Sequence, residues 1–489
     1  MYKSTRGNKE TKLIPASLAI IKGIASDGGL FICNQLPHVQ INSLVGVTYH
    51  QLAKKIIKLL LDDFSEAEVS EIIDSAYDNK FDTSEIVRVV DSKDCFFLEL
   101  FHGKTLAFKD MALSVLPLLL TKAKMKQGIL GKTIILTATS GDTGSAALSG
   151  FHKQKDIDVV VLYPNSGVSW IQEQQMLSFQ GENSHVVAVD GNFDDAQRLV
   201  KKAFTDESLA KYPLSSANSI NIGRLIPQIV YYFYGYLELV RKKQIALGEQ
   251  INFVVPTGNF GNILAGYMAK KMGVPIKKLI CASNENNVLT DFFQEGLYNR
   301  NRPFIKTSSP SMDILISSNL ERLLYYISNH DANKVKDLMN QLSTTGKYQI
   351  DEDMRKNLTD FYGGFATENE MKEAIVDVYQ KDHYLLDTHT AVAKAVYKKY
   401  CQETQDQTKT IITATAHPFK FPVTLCKALN IDNRGSNDLE LIKALATKTG
   451  IAIPPVLLSL NHEQKRLLWL KKDCYQQLTK LLGELYEKN

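Results

Sequence analysis

Paired cysteines are what this 489-residue chain most plainly lacks: its six, Cys33, Cys95, Cys281, Cys401, Cys426 and Cys474, are scattered, and none stands in C-x-x-C spacing. That distribution argues against a disulfide framework or a zinc cluster and fits reduced thiols in a cytoplasmic protein. The ten histidines include no H-E-x-x-H, and no metal site is read. Long apolar runs are missing too. SVLPLLL and IPPVLLSL fall far short of a membrane-spanning helix. The opening MYKSTRGNKETK is polar, with no apolar signal core. The net charge is only +4, and no basic block is present, which speaks against nucleic acid or an anionic membrane as partner. No internal repeat or low-complexity segment stands out. What remains is 44% hydrophobic and 22% charged, ordinary for a globular protein, and long enough for about three domains.

Periodicity divides the chain. Residues 1–95 read as a mainly helical lead-in, broken by the paired glycines of IASDGGLFI. YHQLAKKIIKLLLDDF and SEAEVSEIIDSAYDNKF read as amphipathic helices, with Ser65 and Ser70 as candidate N-caps. From about Cys95 short apolar runs alternate with helical patterns: KTIILTAT, IDVVVLYP, HVVAVDG, INFVVP, KKLICAS and, later, TKTIITATA. Repeated strand–loop–helix units predict an α/β fold of parallel sheet covered by helices. Ligands then belong in the loops beyond the strands' carboxyl ends. The strand rhythm stops over residues 284–382, which read as a helical insertion, and the tail from about Asn437 reads as helical. The expected domains are 1–95, 96–250 and 251–489.

Chemistry concentrates in FLELFHGKTLAFKD, residues 97–110. An apolar strand ends at His102 and Gly103, and a helical pattern starts near Phe108. Lys109 is thus expected at a helix N-terminus, where the dipole disfavours a cation by ~0.3–1 kcal/mol, partly offset by Asp110. A lysine so placed is more easily neutral, and a neutral amine condenses with an aldehyde. A lone lysine would otherwise be a surface charge. Four further stretches follow strands. In TATSGDTGSAAL, Ser140, Gly141, Asp142 and Thr143 open a helix and suit a carboxylate or phosphate, or simply cap it. In PTGNFGN, Gly258, Asn259, Phe260, Gly261 and Asn262 form a bowl of N–H donors, although the string fails G-x-G-x-x-G. In ANSINIGR, Asn218 and Ser219 are candidate caps, and Arg224 is either a surface charge or a phosphate clamp. In TATAHPFKF, Thr415 can offer a hydroxyl to a heterocyclic nitrogen, or the segment is a strand-ending turn. The stripe YYFYGY reads as helix core.

HGKTLAFKD resembles the cofactor-lysine segment of threonine synthases, H-G-P-T-x-A-F-K-D, departing at Lys104. The likeness continues through YKSTRG, DGGLF, SGDTGSAA, VSWIQEQQM, FDDAQRLV, SANSINIGR, PTGNFGN, PSMDI, SSNLER, YGGF, DTHTAVA and ATAHPFKF. It implies fold type II of the pyridoxal-phosphate enzymes, the tryptophan-synthase-β-like fold. It implies that Lys109 carries pyridoxal 5'-phosphate and that Gly258, Asn259, Phe260, Gly261 and Asn262 cradle its phosphate. Thr415 would meet the ring nitrogen. Ser140, Gly141, Asp142 and Thr143 would receive the substrate carboxylate, and Asn218, Ser219 and Arg224 the substrate phosphate. The implied reaction is O-phospho-L-homoserine plus water giving L-threonine and phosphate. A monomer is among the expectations, although the sequence itself does not give the oligomeric state. A phospho-lyase ending in 2-oxobutyrate and ammonia, and a non-catalytic phosphate-ligand-binding protein, are the rival readings.

Overall fold

The computed structural model describes all residues except 8–11, 166, 433–434, 461–465 and 488–489. Two open sheets organise it. The larger has the order Phe361–Phe365, Ile276–Ser283, Ile251–Pro256, Thr410–Ala414, Phe96–Glu99, Arg88–Asp91, parallel except for the last pair. The smaller runs Leu467–Trp469, Ser184–Val189, Ile157–Pro164, Thr133–Ala138, Leu214–Ser215, all parallel. Strands such as Ile251–Pro256 and Ile157–Pro164 are buried at every position. Both faces are therefore covered, which is why they read as continuous apolar runs rather than as alternation.

Strand pairing in both sheets crosses the expected boundary between 96–250 and 251–489. The strand that leads to Lys109, Phe96–Glu99, does not belong with residues 133–215; it pairs with Thr410–Ala414 in the larger sheet. The insertion is not wholly helical, since FYGGF is an edge strand parallel to Ile276–Ser283. The tail is not wholly helical either: Leu467–Trp469 returns to the smaller sheet beside Ser184–Val189.

The N-terminal helices form where their caps dictate. Thr48 and Ser65 each close a capping box on Tyr49–Leu60 and Glu66–Ala76. Ser70 caps nothing; it lies inside the second helix and donates to Asp74. The opening strand Tyr2–Ser4 pairs antiparallel with Phe31–Cys33. Arg6 then reaches Glu321 with two hydrogen bonds, at 2.9 and 2.7 Å, tying the chain's start to helix Leu320–Ile327. The stripe YYFYGY lies in helix Ile222–Arg241, which is buried along nearly its whole length. Among the described residues no helix is long and apolar enough to cross a membrane.

Candidate active site

Three neighbouring strands of the larger sheet deliver three loops to one cleft. Phe96–Glu99 leads to Lys109, Thr410–Ala414 to Thr415, and Ile251–Pro256 to the turn at 257–262. The first two loops are strapped together. Phe108 N–H donates to Thr415 O at 2.8 Å, His417 N–H donates to Leu106 O at 3.0 Å, and Ala107 bridges Ala416. Lys104 is exposed and occupies the second position of the turn closed by Leu106 N–H to Gly103 O. That position favours proline, so the hydrogen-bonded turn survives the departure from the family string.

Lys109 is 11% exposed at its side chain. Its Nζ lies 3.4 Å from Ser311 Oγ and 3.7 Å from Asp142 Oδ2. Burial pulls the amine down to about 8, against the opposing pull of Asp142 and with help from Lys420 and Arg224. The helix behind Lys109, Asp110–Leu113, is a single turn, and desolvation is the largest cause of the lowering.

The turn at 257–262 is built to leave donors free. Gly258 passes so close to Ser311 O that an added Cβ would stand 2.5 Å from it. Phe260 takes a left-handed φ of 62° to open helix Gly261–Lys271, a conformation costing about 1–3 kcal/mol that must be held by its surroundings. The first-turn amides of that helix have no intrahelical acceptor. Tyr231 and Tyr232 hydroxyls donate to Asn262 Oδ1, at 2.5 and 2.8 Å, and leave its Nδ2 buried without a protein partner. The aromatic stripe therefore also orients a site residue.

Arg224 is 2% exposed. One guanidinium nitrogen donates to Ala217 O, while Nε is buried without a partner. Burial pushes its ionisation down to about 10. A buried guanidinium facing a cleft beside an orphaned amide and free helix-terminal amides is the donor set an anionic group needs. A phosphate-bearing cofactor with an aldehyde thus fits the residues present: amine, amide bowl and Thr415 hydroxyl line one cleft.

The smaller sheet supplies the facing wall. Thr133–Ala138 leads to Thr139, whose Oγ1 accepts from the amides of Gly141 and Gly144 at 3.0 and 2.8 Å. Thr139, not Ser140, Asp142 or Thr143, is thus the capping side chain. Ser140 and Thr143 line the cleft. Gly141 holds a φ of 133°, with Gln172 against the place a Cβ would take. Asp142 lines the cleft as well, but its side chain is already paired. Its Oδ1 receives Lys420 at 2.8 Å and Gln172 at 2.9 Å, and its Oδ2 receives Ser311 at 3.2 Å. Lys420 and Lys109 hold it well below the usual carboxylate range despite its burial. A committed carboxylate cannot also receive a substrate carboxylate.

Asn218 and Ser219 line the cleft with Arg224. Neither caps the long helix; Asn221 does, accepting from Gly223 N–H. Asn218 Nδ2 donates to Ala138 O at 3.2 Å, and Ser219 Oγ accepts from Asn319 Nδ2 at 3.0 Å. Asn319 Nδ2 also donates to Asn259 O, joining that corner to the turn at 257–262. Ser311, His389 and Lys420 also reach this site, and no local spacing marks them. The strings PSMDI, DTHTAVA and HPFKF, already singled out for their likeness, were the available signal.

The comparisons agree with this geometry. The profile "Pyridoxal-phosphate dependent enzyme" matches residues 88–416, "Threonine synthase N terminus" residues 1–77, and "Threonine synthase, C-terminal" residues 390–473. "Threonine synthase-like 1" of Macaca fascicularis is 40% identical over 92% of this chain, which spans only 63% of that relative's length. Threonine synthase of Saccharomyces cerevisiae is 38% identical over 88% of this chain and 89% of its own. The crystal structure of pyridoxal-phosphate-bound threonine synthase from Brucella melitensis superposes with a TM-score of 0.85 at 34% identity, covering 99% of both chains. With the amine, the amide bowl and the buried guanidinium in one cleft of a type II fold, and with relatives matching over nearly all of its length, this chain belongs to the threonine synthase family of pyridoxal-phosphate-dependent enzymes.

Proposed function

We propose that the protein is a cytoplasmic, monomeric threonine synthase, converting O-phospho-L-homoserine and water into L-threonine and phosphate by γ-elimination and β-addition of water. The observation that carries the reading is the buried Lys109 amine, held down to about 8, in one cleft with Thr415 and the turn at 257–262. Lys109 would hold pyridoxal phosphate, Gly258, Asn259, Phe260, Gly261 and Asn262 its phosphate, and Thr415 its ring nitrogen. When bound, that cofactor draws electron density from the Cα of an attached amino acid.

The chain's own residues do the rest. Lys109 Nζ, once free, exchanges protons near neutral pH, which suits a base serving adjacent carbons in turn. Arg224, Asn218 and Ser219 would clamp the substrate phosphate and keep it in register as its bond to Cγ breaks. Ser140 and Thr143, with the amides ahead of helix Asp142–Phe151, would hold the substrate carboxylate. Burial of the cleft keeps bulk water from the reacting carbons until one molecule is admitted at Cβ.

Purified protein with pyridoxal phosphate and O-phospho-L-homoserine should yield threonine and phosphate in equal amounts. Release of 2-oxobutyrate and ammonia instead would overturn the synthase reading. Visible absorption should appear on adding the cofactor and vanish in Lys109→Ala; a wild-type protein that stays colourless would favour a non-catalytic ligand-binding protein.

A further inference from the structure

Lys420 is wholly buried, an unusual place for an ammonium, and it has two acceptors: Asp142 Oδ1 at 2.8 Å and Thr105 O at 2.7 Å. Asp142 is likewise buried and lies between two lysines. Its oxygens are not shared evenly. Oδ1 is taken up by Lys420 and Gln172, while Oδ2 meets the Ser311 hydroxyl and stands 3.7 Å from Lys109, too far for a good ion-pair hydrogen bond.

We propose that Lys420 is a positioning residue acting on Lys109 through Asp142: by occupying one carboxylate oxygen it leaves Lys109 a weakened counter-ion, so that the amine is held in place without being locked as an ammonium. Ser311 Oγ is the bridge, donating to Asp142 and accepting from Lys109. This inference rests on reading Lys109 as the reacting amine.

The surroundings support it. The charged groups that act on Lys109 are Asp142, Lys420 and Arg224. His389 stands behind Ser311. It accepts the Ser311 amide at Nε2, with Nδ1 3.1 Å from Asp387 Oδ1, and it acts on Asp142 rather than on Lys109 directly. Without Lys420, Asp142 would face Lys109 as an undivided anion. Without Asp142, Lys109 would face cations alone. The two deletions should therefore move Lys109 in opposite directions, which a merely structural role for Lys420 would not do.

The test titrates Lys109 in the full-length protein prepared without cofactor, by competitive labelling with an amine-reactive nitroaryl fluoride across pH and mass spectrometry of the Lys109 peptide. Lys420→Met should raise the labelling midpoint by about one pH unit, roughly a tenfold loss of labelling at pH 7. Lys420→Arg should keep the wild-type midpoint, and Asp142→Asn should lower it. A Lys420→Met protein that is less stable but has an unmoved midpoint overturns the proposal. Should Lys420→Met not fold, Asp142→Asn decides, and an unmoved or raised midpoint there overturns it equally. Failure of the threonine synthase reading looks different: the wild type gains no absorption with pyridoxal phosphate and forms no threonine, whatever the labelling midpoints do.

Discussion

Arg224 was legible in the sequence only as a choice between surface charge and anion clamp. The structure resolves its surroundings: a guanidinium buried to 2% exposure with Nε unpartnered is costly unless an anion completes it. Arg224→Ala should leave the cofactor's absorption intact and lower kcat/KM for O-phospho-L-homoserine by about 100-fold, the cost of about 3 kcal/mol expected for truncating one side of a desolvated charge pair. Steady-state kinetics beside a cofactor titration would check this, and loss of the absorption would mean that Arg224 holds the cofactor instead. Lys109 itself was readable because its neighbours in sequence carry a recognisable string. The ion pair of Asp142 was not legible, for a physical reason. Its partner Lys420 arrives from a distant loop, and no local spacing announces that a carboxylate near a helix start is already neutralised.

At the scale of elements, the buried parallel strands were legible because burial on both faces selects mainly apolar residues, with Asp158 and Asn252 as buried exceptions. The edge strand Phe361–Phe365 was not, since its two glycines read as a break, and Leu467–Trp469 was too short to register. Loop anchoring was also invisible. His102, at the start of the lysine loop, sits between Asp82 Oδ1 at 2.6 Å and Glu99 Oε2 at 2.9 Å, while Tyr384 donates to Glu99 Oε1. Burial opposes its charge, but the bonds to Asp82 and Glu99 prevail and raise it to about 9. A group whose folded pKa is raised adds stability that is fully present below its unfolded value, about 6.5, and is lost as pH rises through about 9. The difference in unfolding free energy between wild type and His102→Gln should therefore shrink by on the order of 2 kcal/mol from pH 6 to pH 10. Urea melts at both pH values measure it, and taking the difference cancels the opposite slope contributed by Lys109. A pH-independent difference would mean that His102 is neutral in the folded protein.

At the scale of the molecule, the cleft is divided between two sheets with different tasks. Lys109, Thr415 and the turn at 257–262 all come from the larger sheet, whereas Ser140 and Thr143 come from the smaller one. The smaller sheet has its own apolar cluster, in which Val160, Val187 and Leu478 pack with Trp469 from the returning strand. Trp469 is 5% exposed and lies on a strand that extends the sheet beside Ser184–Val189, so its removal should loosen that layer without touching the larger sheet. Trp469→Ala should cost about 3–5 kcal/mol in urea-induced unfolding, as truncation of a buried tryptophan does. If the sheets unfold separately, the loss should appear as an early transition, preceding the one that cofactor stabilises. The midpoint of cofactor binding under native conditions should stay within about twofold of wild type, because the proposed cofactor contacts come from the larger sheet. A large loss of cofactor affinity, at unchanged stability of the smaller sheet, would show that the two layers are coupled through the cleft itself.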